Sequence, residues 1–166
     1  MSPPRISLLR QPDLPEAARL VALTLRVSNQ PDYGAANVER VASNFRVVPL
    51  SRRLRRVSHF GAWERRRLVG MVSLAPDGGV GAFFVHPARQ GCGLGHRLLS
   101  TVIREAKGAG IPALTLRSSL AAERFYLAHG FVAGDDIWHG DERTIAMRLD
   151  LAPAALKPAR ARARLS

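Results

Sequence analysis

Three glycines at alternate positions, Gly91, Gly93 and Gly95, constrain the fold of this chain more than any other feature. They follow an apolar run, Val80–Val85, and precede a segment whose apolar residues recur at helical spacing. Such a loop lets successive backbone amides converge on one point, and the helix that begins there adds its partial positive charge. The pattern therefore predicts an anion site between a strand and a helix, and a pyrophosphate suits it.

Two common phosphate-binding motifs do not fit this loop. The dinucleotide fingerprint requires Gly-x-Gly-x-x-Gly, but counting from Gly91 places His96 at the last position. A P-loop requires Gly-Lys followed by Ser or Thr, and the sequence lacks it. Both motifs also follow a single opening strand, whereas several predicted strands precede this loop.

The order of elements around the loop predicts a mixed α/β fold. A first helix is expected to begin at Asp13, as its N-cap, with Glu16 completing a capping box, and a second helix is expected over Ala36–Phe45. The pattern over Ser51–Arg56 does not decide between a loop and a short helix. Three strands then form an antiparallel meander, and the helix after the glycine loop is ended by Gly108 and Gly110. The predicted strands are Arg5–Arg10, Val57–Trp63, Leu68–Leu74, Val80–Val85, Ala113–Leu116, Phe131–Trp138 and Thr144–Leu151, and the last helix is Ala121–His129.

A strand, a crossover helix and a strand flank the glycine loop, and this order predicts a parallel, right-handed unit within one sheet. We expect a single domain over residues 1–151, followed by a basic tail over 152–166.

The positive charge of the chain is concentrated in two places. The net charge is +12, and the segment Ser51–Arg67 holds seven arginines against the single acid Glu64. The tail adds four more basic residues without an acid. Nucleic acid is not the favoured partner, because the arginines are not interleaved with aromatic residues for base stacking. One cysteine and no long apolar run predict a cytoplasmic protein that has no disulfide and is not inserted in a membrane.

Two motifs resemble those of the GCN5-related N-acetyltransferase (GNAT) superfamily. The segment Gln90–Gly95 is similar to its motif A, Gln/Arg-x-x-Gly-x-Gly/Ala, and the preceding Phe84–Pro87, Phe-Val-His-Pro, is also typical. Downstream, Ser119–Phe131 resembles the family's Asn-x-x-Ala-x-x-Phe/Leu-Tyr-x-x-x-Gly-Phe. The chain departs from the family at Ser119, where asparagine is usual, and at Cys92, where a basic or polar residue is common.

The resemblance implies the GNAT fold: a central mixed, mostly antiparallel sheet of about seven strands with about four helices. It also implies acetyl-CoA (coenzyme A) as co-substrate, with no metal. The pantetheine arm would pair with the backbone of Phe83, Phe84 and Val85 like an added strand. The amides of Gln90–His96 would hold the pyrophosphate, and Ser119 would cap the last helix or bond the arm. The residues implied for the pyrophosphate are Gln90, Gly91, Cys92, Gly93, Leu94, Gly95 and His96.

In the family's usual mechanism an amine attacks the thioester directly in a ternary complex, and the resemblance points to Tyr126 as the acid that protonates the departing thiolate. A phenol, with a pKa of about 10, keeps its proton at neutral pH and can donate it. A general base is not evident: His86, Glu64 and His139 are candidates, and so is a water chain. Tyr33 is a further candidate, for the acceptor site.

The acceptor is expected to be a small-molecule or peptide amine. Four carboxylates in the closing hairpin suggest attraction of a cationic amine, with Trp138 covering part of it; they are Asp135, Asp136, Asp141 and Glu142. A homodimer is left open. Two other functions are also left open: a regulator that binds coenzyme A without efficient catalysis, and a basic module that binds nucleic acid through Ser51–Arg67.

Overall fold

The computed structural model describes residues 2–29 and 34–151. Within these ranges the chain forms seven β-strands and five α-helices. The strands are β1 (Arg5–Leu8), β2 (Ser58–Glu64), β3 (Arg67–Leu74), β4 (Val80–Val85), β5 (Ala113–Ser118), β6 (Val132–His139) and β7 (Glu142–Asp150). The helices are α1 (Leu14–Thr24), α2 (Ala35–Ser43), α3 (Val47–Leu54), α4 (Leu94–Gly108) and α5 (Glu123–Ala128). A π-helical turn, Leu25–Asn29, continues α1.

The strands build two sheets. One has the order β1-β2-β3-β4 and the other the order β5-β7-β6, and neighbouring strands within each are antiparallel. The predicted mixed α/β class is confirmed, but the expected single sheet is divided between β4 and β5. These two strands approach in parallel only at the bridge between Gly79 and Thr115.

A β-bulge explains the division of the sheet. Met71 and Ser73 of β3 pair with Phe84 and Gly81 of β4, so β4 carries one residue more than its partner. The backbone of Ala82 takes up the extra residue with a φ of 44°. A bulge bends its strand, and the parallel approach to β5 ends before this point. In the described part of the chain, the outer edge of Phe83–Val85 therefore lacks a strand partner.

Helices cover both faces of the first sheet. Apolar residues of α1, α2 and α3 pack with Leu68 and Met71 of β3 on one face. On the other face, α4 and α5 pack with Val69 and Val72 of β3 and with the second sheet. Every residue of β3 after Arg67 is buried.

The Arg-rich segment before β2 is helical over part of its length. Helix α3 ends at Leu54, so it includes Arg52 and Arg53. The guanidinium of Arg53 lies 4.8 Å from the ring centroid of Phe45, as in a cation–π contact. The structure thus favours a short helix over a loop here.

The predicted capping box at the start of α1 is wrong. A 3₁₀ turn, Gln11–Asp13, precedes α1, so Asp13 already has helical dihedral angles and its carboxylate accepts from the backbone N–H of Arg10 at 2.8 Å. Glu16 binds Arg19, Arg67 and the backbone N–H of Leu68 instead. The carboxylate of Glu16 thereby connects α1 to β3.

The basic tail, 152–166, and Tyr33 lie outside the described residues, so the predictions for them stay predictions. Among the helices that are described, none is long and apolar enough to cross a membrane.

Candidate active site

A cleft of about 750 Å³ lies between the free edge of β4, the start of α4 and one side of α5. We call it the β4–α4 cleft. Nine of the residues that the sequence singled out line it, namely Phe83, Phe84, Val85, Gln90, Gly91, Gly93, Gly95, His96 and Tyr126. The fold therefore brings the predicted cofactor loop, the predicted pairing edge and the predicted acid into one space.

The glycine loop has the backbone that an anion site needs. Gly91 and Gly93 have φ of 74° and 84°, a region that favours glycine. The first helical hydrogen bond of α4 runs from the N–H of Arg97 to the C=O of Gly93. The N–H groups of Leu94, Gly95 and His96 precede that bond, so they have no acceptor within the helix.

The reason for glycine differs along the loop. A Cβ at Gly91 or Gly93 would meet no atom within 4 Å, so the positive φ is what favours glycine at both positions. A Cβ at Gly95 would lie 3.5 Å from the ring of Phe125, which is an ordinary contact. The protein therefore leaves room for a methyl group at Gly95, which lines the cleft.

The side chains of two other residues of the loop, Leu94 and Cys92, do not line the cleft. Leu94 is buried in the core beneath α4. Cys92 is exposed, and its thiol donates to the carbonyl of Arg89 at 2.8 Å. Neither side chain lines the β4–α4 cleft, so only their backbone groups are available to a bound anion.

The side chain of Gln90 fastens the loop to its surroundings. Its amide Nε2 donates to the carbonyl of Val85 at 3.1 Å and to the hydroxyl of Ser28 at 3.0 Å. The first bond joins the loop to β4, and the second joins it to the turn that continues α1.

The end of α5 fixes Tyr126. The N–H of Phe131 donates to the carbonyl of Tyr126 at 3.1 Å, and that of Gly130 donates to Leu127 at 3.1 Å. Gly130 has a φ of 89°. This is a Schellman motif, in which the flanking apolar residues also touch: the rings of Tyr126 and Phe131 lie 5.6 Å apart. The spacing Tyr-x-x-x-Gly-Phe thus has a purely structural basis as well.

Burial controls the ionisation of Tyr126. Its side chain is 8% exposed and packs edge-on against Phe83 and Phe125. This burial raises the pKa of Tyr126 to about 12, because a phenolate loses its hydration there. The hydroxyl therefore keeps its proton throughout the neutral range.

The sequence analysis missed His129, which lines the cleft and contacts His96. The carbonyl of Phe125 accepts from Nδ1 of His129 at 2.6 Å, and the other ring nitrogen of His129 lies 2.7 Å from Nδ1 of His96. In a neutral His129 that nitrogen accepts, so His96 donates. The contact joins the first turn of α4 to the end of α5. Only the position of His129 beside Gly130 in the second motif could have indicated it.

The structure does not bring the proposed general bases to the cleft. The carboxylate of Glu64 accepts two hydrogen bonds from Arg89, at 2.6 and 2.7 Å, and this contact lowers the pKa of Glu64. Nδ1 of His86 accepts from the N–H of Ala88 at 3.0 Å and shapes the turn after β4. His139 is exposed at the end of β6, opposite Glu142.

A second cavity of about 320 Å³ adjoins the cleft. It is lined by Leu25, Asn37, Val38, Arg40, Val41, Phe84, Arg117, Ser119, Glu142 and Thr144. Phe84 lines both spaces, and Leu25 follows Thr24, which lines the cleft. The hydroxyl of Ser119 accepts from the N–H of Ala122 at 3.3 Å, so it caps the turn before α5.

Three of the four carboxylates of the closing hairpin lie in different environments. Glu142 lines the second cavity, whereas Asp136 is paired with Arg143 at 2.8 Å. Asp135 lines an open groove on the second sheet, which shares Arg117 with the second cavity. In the described part of the chain, no group of three or more potential metal ligands is found.

A family model described as an acetyltransferase (GNAT) domain matches residues 29–149. This range includes the glycine loop, Tyr126 and every lining residue of the cleft except Thr24. The chain belongs to this family. The resemblance predicted from the two motifs is confirmed, and with it the assignment of the domain as an acetyltransferase. No curated protein matches the GNAT chain significantly.

Solved structures share the GNAT fold at low sequence identity. A GCN5-related N-acetyltransferase from Rhodopseudomonas palustris has a TM-score of 0.80 and 24% identity, covering 91% of this chain and 98% of its own. The PaiA N-acetyltransferase from Thermoplasma acidophilum, solved with coenzyme A, has a TM-score of 0.79 and 18% identity, covering 91% and 100%. YncA from Salmonella typhimurium, solved with acetyl-CoA, has a TM-score of 0.66 and 20% identity, covering 95% and 99%. At these identities the likeness establishes the fold.

Proposed function

We propose that this chain transfers the acetyl group of acetyl-CoA to a primary amine, by direct attack of the amine in a ternary complex. The observation that carries the proposal is the β4–α4 cleft, which joins the free edge of β4, the glycine loop and Tyr126. The acceptor is a small-molecule or peptide amine.

The cleft suits both parts of coenzyme A. The unpaired backbone edge of Phe83–Val85 can bind an extended arm by adding it as a strand. The free amides at Leu94, Gly95 and His96, with the positive end of a 15-residue helix, favour a pyrophosphate. The structural relatives from T. acidophilum and S. typhimurium, which contain coenzyme A and acetyl-CoA, support this choice of donor.

Acetyl-CoA supplies a thioester, whose carbonyl carbon forms the new bond to nitrogen while its bond to sulfur breaks. Tyr126 is the group that we assign to the departing sulfur. Its buried hydroxyl remains protonated, since its pKa is about 12, and donates a hydrogen bond to the negative charge that develops there.

Complete proton transfer from Tyr126 alone is uphill. A thiol has a pKa of about 8.5 in the cysteine reference, well below that of the buried phenol. We therefore infer that the proton lost by the amine replaces the one that Tyr126 gives to sulfur. None of the candidate bases Glu64, His86 and His139 lines the cleft, so of the carriers considered from the sequence only a water chain remains for the amine proton.

The proposal is tested by measuring free thiol released from acetyl-CoA in the presence of amines, amino acids, aminoglycosides and peptides. We expect amine-dependent release that yields one acetylated product for each thiol. Binding of coenzyme A without amine-dependent release would instead indicate a regulator. Absence of coenzyme A binding would contradict the proposal altogether.

A further inference from the structure

The second cavity adjoins the β4–α4 cleft at Phe84, which lines both spaces. Thr24 of the cleft and Leu25 of the cavity are consecutive residues. An amine held there is next to the strand that we assign to the acyl-carrying arm. Its volume of about 320 Å³ is at the lower end of ligand pockets, so it suits a molecule the size of an amino acid.

The charged groups of this cavity come from three separate elements. Arg40 lies on α2, Arg117 on β5 and Glu142 at the start of β7. Within the described residues, none of the three forms an ion pair. The residues that line the cavity therefore include two arginines and one glutamate, and none of these three is neutralised by an ion pair within the described residues.

One of the guanidinium groups is held in place. Nε and Nη2 of Arg40 both donate to the side-chain oxygen of Asn37, at 3.4 and 3.2 Å, and Asn37 also lines the cavity. Arg117 is exposed on β5 and lines both this cavity and the open groove on the second sheet. A guanidinium binds a carboxylate or a phosphate through two parallel hydrogen bonds. Of these two anions the carboxylate is the smaller, and it suits a cavity of about 320 Å³.

We infer that the acceptor is a small amine that also carries a carboxylate, with Arg117 and Arg40 binding the carboxylate and Glu142 facing the amine. This inference rests on the proposed function, since it concerns the acceptor of the same reaction. The sequence suggested a cationic acceptor, attracted by the four carboxylates of the closing hairpin. Among those four, Glu142 is the one that lines this cavity, and two arginines line it as well, so we infer an acceptor that carries both charges.

The test uses the full chain, acetyl-CoA and sets of three related acceptors: an amino acid, its carboxamide and its decarboxylated amine. Thiol release is measured for each, and kcat/KM is expressed per unprotonated amine so that differences in amine basicity cancel. We expect the amino acid to exceed both analogues by about 10- to 100-fold, the range for a hydrogen-bonded charge pair.

Single substitutions test which residues cause the preference for an acceptor with a carboxylate. Arg117→Gln and Arg40→Gln should each raise KM for the amino acid by about 10-fold or more, with little change for the carboxamide. A merely structural role would affect both acceptors alike. Glu142→Gln should raise KM for both, because both carry the amine. Arg148→Gln is the control, since Arg148 is exposed on β7, is paired with Asp150 and does not line this cavity.

The outcomes separate this inference from the proposed function. Equal use of the three acceptors, or a preference for the decarboxylated amine, would overturn the inference while leaving the acetyl transfer intact. Calorimetry with coenzyme A tests whether the chain binds the donor at all. If coenzyme A does not bind and no acceptor releases thiol, the proposed function fails and the inference fails with it.

Discussion

At the scale of single residues, Tyr126 carries the most specific chemical assignment. The Schellman motif at the end of α5 holds its backbone, and Phe83, Phe125 and Phe131 surround its ring. Tyr126→Phe removes one hydroxyl and keeps the ring, so the packing should survive. We expect kcat to fall by about 10²-fold, as for a lost general acid, with little change in the affinity for coenzyme A. Steady-state kinetics and calorimetry measure the two effects, and an unchanged kcat under conditions where chemistry limits the rate would reduce Tyr126 to a packing residue.

The same hydroxyl predicts a change of stability at alkaline pH. Its folded-state pKa of about 12 exceeds the ordinary value of 10.0, so the unfolded chain loses this proton first. The stabilisation is complete below the unfolded pKa and is lost as the pH rises toward the folded one. Between about pH 9 and about pH 11.5, the wild type should lose about 2 kcal/mol more unfolding free energy than Tyr126→Phe. Urea denaturation of both proteins measures this, and parallel losses would mean that the phenol is not buried as described.

At the scale of elements, two backbone features shape the site: a β-bulge in β4 and a glycine with positive φ at the end of α5. The bulge at Ala82 separates β4 from β5, and the positive φ of Gly130 ends α5 so that Tyr126 and Phe131 meet. The first feature leaves the edge of β4 free to line the β4–α4 cleft, and the second positions Tyr126 of α5 beside it.

Gly130→Ala tests the second bend. Alanine at a φ of 89° is strained, and its Cβ would lie 3.4 Å from Leu149. We expect a loss of about 1–2 kcal/mol in unfolding free energy, together with reduced kcat because Tyr126 moves. Gly140→Ala is the matched control, since Gly140 also has a positive φ, of 59°, but lies in the β6–β7 turn with no atom near the added methyl. It should lose stability without losing kcat, and equal activity losses in both variants would contradict the role of the α5 terminus.

At the scale of the whole molecule, the sequence predicted the features that depend on local patterns but not those that depend on long-range contacts. The element order followed from periodicity and from glycines such as Gly110, which has a φ of 72° and closes α4 as a Schellman motif with Ile111. The split between β4 and β5 could not be predicted, because nothing in the local sequence marks the bulge at Ala82. The contact of Glu16 with β3 was missed for the same reason, since its partners lie about fifty positions along the chain.

The residues of the candidate site also differ in whether the sequence alone could indicate them. The glycine loop and Tyr126 each lie within one continuous motif, so the sequence alone indicated them. Arg40, Arg117 and Glu142 come from three distant elements, and only the folded chain brings them to one cavity. Thr24 is likewise distant in sequence from both motifs, and only the fold places it at the β4–α4 cleft.

The central claim, that the β4–α4 cleft binds coenzyme A, is tested most directly by calorimetry on wild type, Gly95→Ala and Gly108→Ala. The Cβ added at Gly95 has only ordinary contacts within the protein, and alanine favours a helix over glycine. Gly108 lies at the other end of α4, where an added Cβ meets no atom within 4 Å. We predict that both variants are as stable as wild type or more so in thermal unfolding, and that only Gly95→Ala weakens coenzyme A binding, by about 10-fold or more. Wild-type affinity in Gly95→Ala, or no binding to the wild type, would contradict the account.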